Sequence, residues 1–149
     1  MKPRIFTVAE ANCQIPKVQQ AMSRLEEWQP KLEECQQCLV EMSGKELSDP
    51  RERVRLSHEL ERAEHEVLSA AQELEEAGCV LKQGGLVDFF TVRDGVLYEL
   101  CWHSGEEEIR FYHEFGEGFN GRQPLTQEDS AKMGVGFAVV KGEWMNNAR

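Results

Sequence analysis

The sequence predicts an α+β protein in which a long, coiled-coil-like antiparallel helical hairpin is followed by a small three-stranded antiparallel β-sheet. Two observations lead to this prediction. Apolar residues recur at heptad spacing up to Gly78, and beyond it aromatic and β-branched residues alternate with polar ones. We therefore expect a helical hairpin over residues 1–78, a sheet with a glycine-rich loop over 79–125, and a partly irregular tail over 126–149.

The first helix is predicted to begin near Val8. Thr7, followed three residues later by Glu10, forms a capping-box pattern in which each side chain bonds the backbone N–H of the other residue. Pro16 and Pro30 each remove a backbone donor, so we expect bends or short interruptions at these positions. The apolar seam of this helix should face a partner helix and consists of Val18, Ala21, Leu25, Trp28, Leu32, Cys35, Leu39 and Met42.

A second helix is predicted to begin at Asp49-Pro50, where the aspartate can cap the helix and the proline suits its first turn. Gly78 stands where a helix commonly ends. The two helices are joined by the short polar stretch 44–48, so their seams should pack antiparallel. The second seam consists of Leu56, Leu60, Ala63, Val67, Ala70, Leu74 and Ala77.

A β-hairpin is predicted around Asp94-Gly95, a dipeptide that favours a two-residue turn. It joins Leu86–Val92 to Val96–Trp102, and a short stretch over Cys79–Lys82 has the composition of a further strand. The turn geometry fixes the pairing of the two long strands, because successive residues point to opposite faces. It places Asp88 opposite Cys101.

A third strand is predicted to return along Glu108–Phe115, with Trp102 beside Ile109 and Leu100 beside Phe111. This register gives the sheet an apolar face that should pack on the helices and a polar face that should stay partly wet. The apolar face would carry Val87, Phe89, Tyr98, Leu100, Trp102, Ile109, Phe111 and His113. The polar face would carry Asp88, Phe90, Glu99, Cys101, His103, Arg110 and Tyr112.

Composition narrows the classes of function. The chain has 27 acidic and 17 basic residues and a formal net charge of -10, which disfavours binding to nucleic acid. No apolar run reaches the length of about 20 residues that a membrane span needs, and no secretory signal is recognisable. We expect a cytoplasmic protein whose five cysteines are reduced: Cys13, Cys35, Cys38, Cys79 and Cys101.

Five residues of the predicted sheet are candidates for binding a ligand or metal: Asp88, Glu99, Arg110, His113 and Arg122. The first three share the predicted polar face with Tyr112, and an ordinary cross-strand ion-pair network gives the same pattern. His113 can serve as an acid, a base or a metal ligand, or as a half-buried structural histidine. Arg122 lies in the glycine-rich stretch 116–125, which suits either an anion cradle or a structural turn.

Cys35 and Cys38 form a C-x-x-C pattern, which in other settings binds zinc or carries dithiol chemistry. The chain has no second pair of this kind. His58 and His65 lie about 180° from the apolar seam of their helix at 100° per residue, so they should face solvent. We therefore interpret Cys35 as a filler of the seam.

Several stretches resemble an uncharacterised prokaryotic family known as domain of unknown function 2203. They are Phe6–Asn12, Gly85–Phe89, Leu100–Trp102, Gly105-Glu106, Ile109, His113, Gly118-Phe119 and Gly121–Leu125. The resemblance covers most of residues 5–125, with Phe90 and Tyr112 standing where the family has proline and tryptophan. It implies the same architecture and no particular activity.

Three hypotheses of function follow. The first is a non-enzymatic module that binds a protein partner or a second copy of itself, because no catalytic or cofactor motif is complete. The alternative is a small-molecule-binding or metal-binding protein, or an enzyme, with its site on the sheet around Asp88, His113 and Arg122. A third is an accessory factor that inserts the hairpin tip, near Glu46 and Asp49, into a larger machine.

Overall fold

The protein is described here by a computed structural model that covers residues 4–44 and 49–135. These residues divide into two compact units, one within Gln20–Glu73 and the other within Met1–Gln19 and Leu74–Arg149. The α+β class is confirmed. Two long helices are followed by an antiparallel sheet and a short third helix.

Helix α1 spans Val8–Ser43 and α2 spans Pro50–Ala77. The capping box at the start of α1 is present, since Thr7 and Glu10 each accept a hydrogen bond from the other's backbone N–H. Bends or short interruptions were expected at Pro16 and Pro30, and the interruptions are wrong, because α1 continues through both. Each proline removes only one backbone donor, and Ile15 and Val18 beside the first are buried, so packing holds this part of the helix.

The two helices run antiparallel within the unit of residues 20–73. Arg24 of α1 pairs with Glu66 and Glu73 of α2, at 3.1 and 2.9 Å, whereas Met42 near the end of α1 accepts a hydrogen bond from Arg53 near the start of α2. Every predicted seam residue of both helices is buried or half-buried, and His58 and His65 are exposed as predicted. Cys35 is buried, which agrees with its interpretation as seam filler.

The sheet has five strands in the order β1-β2-β3-β4-β5, each antiparallel to its neighbours, so the prediction of three strands is wrong. Of the two additional strands, β1 at Val80–Leu81 lies within the stretch 79–82 whose composition indicated a further strand, whereas β5 at Gln123–Pro124 was not predicted. Each has only two residues, too few to show an alternating pattern. The longer strands are β2 (Leu86–Arg93), β3 (Val96–His103) and β4 (Phe111–Glu114).

The hairpin of β2 and β3 has the predicted register, with Asp88 opposite Cys101. The register of β4 differs by one residue, because Leu100 faces Tyr112 and not Phe111. The segment before β4 is held by a hydrogen bond to a side chain and not by backbone pairing with β3. The backbone N–H of Ile109 donates to Asn12 Oδ1 in α1 at 2.7 Å, so Ile109 does not pair beside Trp102 as predicted.

This shift exchanges the two faces of β4, since neighbouring strand residues point to opposite sides. His113 pairs with Glu99 and therefore joins the face that carries Asp88. That face is not wet at its centre, as we had expected it to be. It is covered in part by Lys82, which approaches Glu99, and by Arg122, whose guanidinium lies beside the backbone of residue 101.

The opposite face of the sheet belongs to the apolar core. Phe89 packs edge to face against Phe6, the residue that precedes the α1 cap, with ring centroids 5.0 Å apart. Fully buried apolar residues of this core include Phe6, Ala11, Val18, Val87, Phe89, Leu100 and Trp102. Both faces of the central strands are thus withdrawn from water, which leaves the polar residues of one face buried.

A short helix, α3 (Gln127–Lys132), follows the sheet. Thr126 and Asp129 form its capping box, and Asp129 also pairs with Arg93 at the end of β2. The late apolar stretch 137–140, the final residues 144–149 and Glu46 at the predicted hairpin tip lie outside the described residues. None of the helices in the described part is both long enough and apolar enough to cross a membrane.

Candidate metal centre

Four chemically active side chains meet on one face of the sheet. Asp88 of β2 lies directly opposite Cys101 of β3, and His113 of β4 lies directly opposite Glu99 of β3. Residues 99 and 101 are two apart on one strand and so point to the same side. The antiparallel register of three strands therefore brings two carboxylates, a thiol and an imidazole together. We call these four residues the sheet cluster.

The sheet cluster is removed from solvent. Asp88 is 2% exposed, Glu99 and His113 are each 1% exposed, and Cys101 is 0% exposed. Burying an ionised carboxylate without a compensating partner is so unfavourable that the group normally takes up a proton or pairs with a cation. Two carboxylates in one buried cluster therefore require a source of positive charge.

His113 presents one ring nitrogen to both carboxylates. Its Nδ1 lies 2.8 Å from the backbone carbonyl oxygen of Glu114, and because a carbonyl only accepts, Nδ1 carries the hydrogen. The other nitrogen, Nε2, lies 3.3 Å from Asp88 Oδ2 and 3.7 Å from Glu99 Oε2. In a neutral imidazole, Nε2 would direct its lone pair toward anionic oxygens, so a proton or a metal ion is needed between them.

Several buried oxygens of the sheet cluster lack a hydrogen-bond partner within the described part of the chain. They are Asp88 Oδ1 and both carboxylate oxygens of Glu99. The nearest cationic side chain to Glu99 is Lys82, whose Nζ lies 3.7 Å from Oε2 and whose side chain is 41% exposed. Unsatisfied buried acceptors are uncommon in native proteins and call for an explanation such as a bound ion.

The side chains of the sheet cluster are spaced closely enough to bind one metal ion together. One oxygen of Asp88, the sulfur of Cys101 and a ring nitrogen of His113 all lie within 4.8 Å of one another. Ligand atoms placed tetrahedrally around zinc, at about 2.0 to 2.3 Å from the ion, are about 3.3 to 3.8 Å apart. Small side-chain rotations would bring the three atoms to these separations.

The buried environment also changes the acidity of two groups. The pKa of Glu99 is raised to about 7, mainly by burial and also by the hydrogen bond and charge of Asp88, while Lys82 and His113 act in the opposite direction. The pKa of the Cys101 thiol is raised to about 12, mainly by burial and also by Asp88, against the opposing effect of Arg122. Without a cation these groups favour their protonated forms, so a metal would enter by displacing protons.

The five residues predicted for the site do not all meet. Asp88, Glu99 and His113 lie together in the sheet cluster, and Arg122 lies beside it, with Nη2 3.3 Å from the carbonyl oxygen of Cys101. Arg110 lies elsewhere, because it precedes β4, is exposed and pairs with Glu108 at 3.5 Å. Its predicted place on the polar face depended on the register that is wrong by one residue.

Tyr112 is likewise absent from the sheet cluster. It lies on the opposite face, where its ring packs edge to face against Tyr98 at 5.5 Å and its hydroxyl donates to Gln123. The same one-residue shift that removed Tyr112 brought His113 into the cluster.

Cys101 is the member that sequence reasoning missed, because it was interpreted as one of several small reduced cysteines. A signal was nevertheless present in the sequence. The Asp94-Gly95 turn alone places Cys101 opposite Asp88, two residues from Glu99 on the same strand. A cysteine and two acids on one face of a hairpin form a partial ligand set even before the third strand is placed.

Comparison with known protein families gives one match, to the family described as an uncharacterised conserved protein, DUF2203, over residues 4–125. No curated protein and no solved structure matches the chain. The match covers the sheet cluster and stops just before α3. The predicted resemblance is therefore confirmed, and the chain belongs to the DUF2203 family of uncharacterised conserved proteins.

Proposed function

We propose that this protein binds one divalent transition-metal ion through the sheet cluster, with Asp88, Glu99, Cys101 and His113 as ligands. The observation that supports it most directly is the buried Nε2 of His113, which faces two carboxylates while Nδ1 is held by a backbone carbonyl. Metal-binding histidines almost always donate their second ring N–H in this way, which fixes the tautomer and aims the free nitrogen at the ion.

The ligand set favours a particular class of metal. A thiolate and an imidazole suit zinc and its first-row neighbours, whereas calcium and magnesium take mostly oxygen ligands. The sheet cluster offers one sulfur, one nitrogen and carboxylate oxygens, which matches a four-coordinate zinc-type site. We therefore expect Zn²⁺, Co²⁺ or Fe²⁺ to bind, and Ca²⁺ and Mg²⁺ not to compete.

A proton is the simplest alternative occupant of the sheet cluster. Protonation of Nε2 would let His113 donate one hydrogen bond, most directly to Asp88 Oδ2 at 3.3 Å. A proton on Glu99, whose pKa is raised to about 7, would add one hydrogen bond to Asp88 and would leave an oxygen of Glu99 without a donor. A metal ion would interact with Asp88, Cys101 and His113 at once and would attract the carboxylate of Glu99 beside His113, so it accounts for more of the unsatisfied buried atoms than these protons do.

The test is metal analysis of freshly purified protein, by native mass spectrometry and by elemental analysis of the same sample. We expect one metal ion per chain, or one equivalent taken up when Zn²⁺ or Co²⁺ is added to chelator-treated protein. Asp88→Asn should abolish uptake, whereas Asp94→Asn, at an exposed turn position, should leave it unchanged. Folded wild-type protein that takes up none of these ions at stoichiometric concentration would contradict the proposal.

A second candidate function is self-association through the helices, or binding of a protein partner there. Three apolar residues of the unit Gln20–Glu73 are largely exposed: Val40 at 68%, Val54 at 56% and Leu68 at 69%. Exposed apolar residues on a helical hairpin favour a further helix as their cover. If this is correct, light scattering will report a dimer or larger species that Val54→Glu converts to monomer, whereas a monomeric wild type at high concentration excludes self-association.

The hypothesis of an inserted hairpin tip has less support. Asp49 is exposed and accepts a hydrogen bond from the backbone N–H of Arg51 at 3.0 Å, so the side chain already serves as a helix cap. We retain this hypothesis only as a third candidate, to be tested by charge reversal at Glu46 and Asp49.

A further inference from the structure

The geometry points to Arg122 as a positioning residue that donates a hydrogen bond from Nε to the metal-bound thiolate of Cys101, an inference that rests on the proposed metal site. Arg122 was predicted as a possible ligand of an anion in a glycine-rich loop. In the structure its guanidinium lies instead beside Cys101 of the same chain.

The guanidinium of Arg122 is held at one place by four contacts. Its Nη2 donates to Glu106 Oε1 at 2.8 Å and to the carbonyl oxygen of Cys101 at 3.3 Å. The planar group also lies over the rings of Phe111 and Phe119, with its central carbon 4.1 and 5.1 Å from their centroids. The side chain is only 11% exposed, so the orientation of its remaining donors is set in advance.

One of those remaining donors is buried and unused. Nε of Arg122 has no hydrogen-bond partner within the described part of the chain. A buried guanidinium donor without an acceptor is costly, and more so than a neutral one. A nearby anion that appears only when the thiol of Cys101 is ionised would satisfy it.

The register of the sheet places the guanidinium on the same face as the thiol. Phe111 is the direct cross-strand partner of Cys101, so the two side chains point to the same face. Because the guanidinium of Arg122 lies against the ring of Phe111, it lies on the face where the sulfur is.

The charge balance of the proposed metal site favours a cation such as Arg122 beside it. Two carboxylates and a thiolate carry three negative charges, and a divalent ion leaves one of them uncompensated. Outer-shell donors of this kind hold ligands in place, and their loss typically lowers metal affinity by about 10- to 100-fold. Lysine would not replace arginine well, because Nη2 of the guanidinium serves two acceptors and leaves Nε for a third.

The experiment is a double-mutant cycle on Co²⁺ affinity, using the full chain with Arg122→Met, Cys101→Ser and the combination of both. In the wild-type background we expect Arg122→Met to weaken Co²⁺ binding by about 10-fold or more. In the Cys101→Ser background the same change should have less than about a third of that effect, because no thiolate remains to receive the bond. Arg110→Met, at an exposed arginine, is the matched control and should change neither affinity.

The spectrum of the Co²⁺ protein gives an independent measurement. A hydrogen bond lowers the energy of the sulfur lone pairs, so its loss in Arg122→Met should move the sulfur-to-cobalt charge-transfer band to longer wavelength. An unshifted band, or an equal loss of affinity with and without the thiol, would overturn the assignment and leave Arg122 as a clamp on the backbone. This measurement decides the matter even if Cys101→Ser binds no metal. Failure of the proposed function is seen separately, as the absence of Co²⁺ binding by the wild type.

Discussion

His113 Nε2 lies 3.3 Å from Asp88 Oδ2 although the two residues belong to strands that are not neighbours. Strand β3 runs between them, and each residue pairs with a different position of it, Cys101 for Asp88 and Glu99 for His113. The two side chains meet diagonally above the central strand. This arrangement makes the sheet cluster sensitive to the register of both strand pairs, and it supports the predictions that follow.

Metal binding should stabilise the fold. A ligand that binds only the folded state at 100 times its dissociation constant adds about 2.7 kcal/mol, which for a chain of this size corresponds to about 5 to 10 °C in Tm. Adding Zn²⁺ to chelator-treated protein should produce such a rise in differential scanning calorimetry. His113→Gln should abolish the rise, whereas His65→Gln, at an exposed position, should retain it. Equal shifts in both variants would mean that zinc binds elsewhere.

The identity of the sulfur ligand can be tested against a second cysteine. Burial raises the pKa of the Cys79 thiol to about 11 and that of Cys101 to about 12, so neither is ionised in metal-free protein at neutral pH. Only Cys101 belongs to the sheet cluster, while the sulfur of Cys79 donates to the carbonyl of Leu74 at 3.2 Å. Cys101→Ser should eliminate the thiolate-to-cobalt absorption of the Co²⁺ protein, and Cys79→Ser should preserve it. The reverse result would assign the sulfur to Cys79.

The pairing of Asp129 with Arg93 should make stability depend on pH at the acid end. The backbone hydrogen bond from Thr126 lowers the pKa of Asp129 against the effect of burial, and the charge of Arg93 lowers it further. A lowered pKa means that the carboxylate stabilises the fold above its unfolded value of about 3.9 and that this contribution disappears as the pH falls through the lower, folded value.

Asp129→Asn should therefore reduce the free energy of unfolding at pH 7 by about 1.5 to 3 kcal/mol, the contribution of a hydrogen bond to a charged group. The difference from wild type should shrink below about pH 4. Urea denaturation at several pH values measures it. Glu128→Gln is the matched control, since Glu128 is exposed and lies 3.7 Å from the same arginine. A difference that stays constant down to pH 2 would show that the charge of Asp129 is not what stabilises the fold.

Gly134 should not tolerate a side chain, because it lies close to the backbone of Phe6. A Cβ at Gly134 would lie 2.2 Å from the backbone oxygen of Phe6, and its φ of +72° adds strain. Gly84 has the same φ of +72° with open space around it, so it isolates the cost of the backbone conformation, about 1 to 2 kcal/mol. Gly134→Ala should destabilise the protein clearly more than Gly84→Ala in urea denaturation. Equal losses would show that the contact with Phe6 is not maintained in solution.

Much of the fold could be predicted because local patterns determine it. The Thr7 and Glu10 cap, the helical seams and the Asp94-Gly95 hairpin each depend on residues close together in sequence, and each is confirmed. The register of β4 could not be predicted in this way. It depends on the hydrogen bond between Ile109 and Asn12, which are 97 residues apart in the chain.

The same reason limits the prediction of the site. Asp88 and Glu99 were placed together because the hairpin turn determines their pairing, whereas His113 was assigned to the wrong face through the register error. The burial of the sheet cluster was also unexpected. It depends on Lys82 and Arg122, which approach from outside the two long strands, and alternation within a strand carries no information about such contacts.

The outer edge of β2 receives backbone donors from widely separated parts of the chain. Strand β1 pairs with only two of its residues, while the carbonyls of Phe90 and Val92 accept from Phe6 and Gly134, respectively. An uncovered strand edge is a template on which other chains can add strands and aggregate. A chain shortened to residue 125, where the family match ends, would lose Gly134 and leave Val92 open to such addition. We therefore expect residues 126–135 to protect solubility, and a search for metal binding should begin with a protein that retains them.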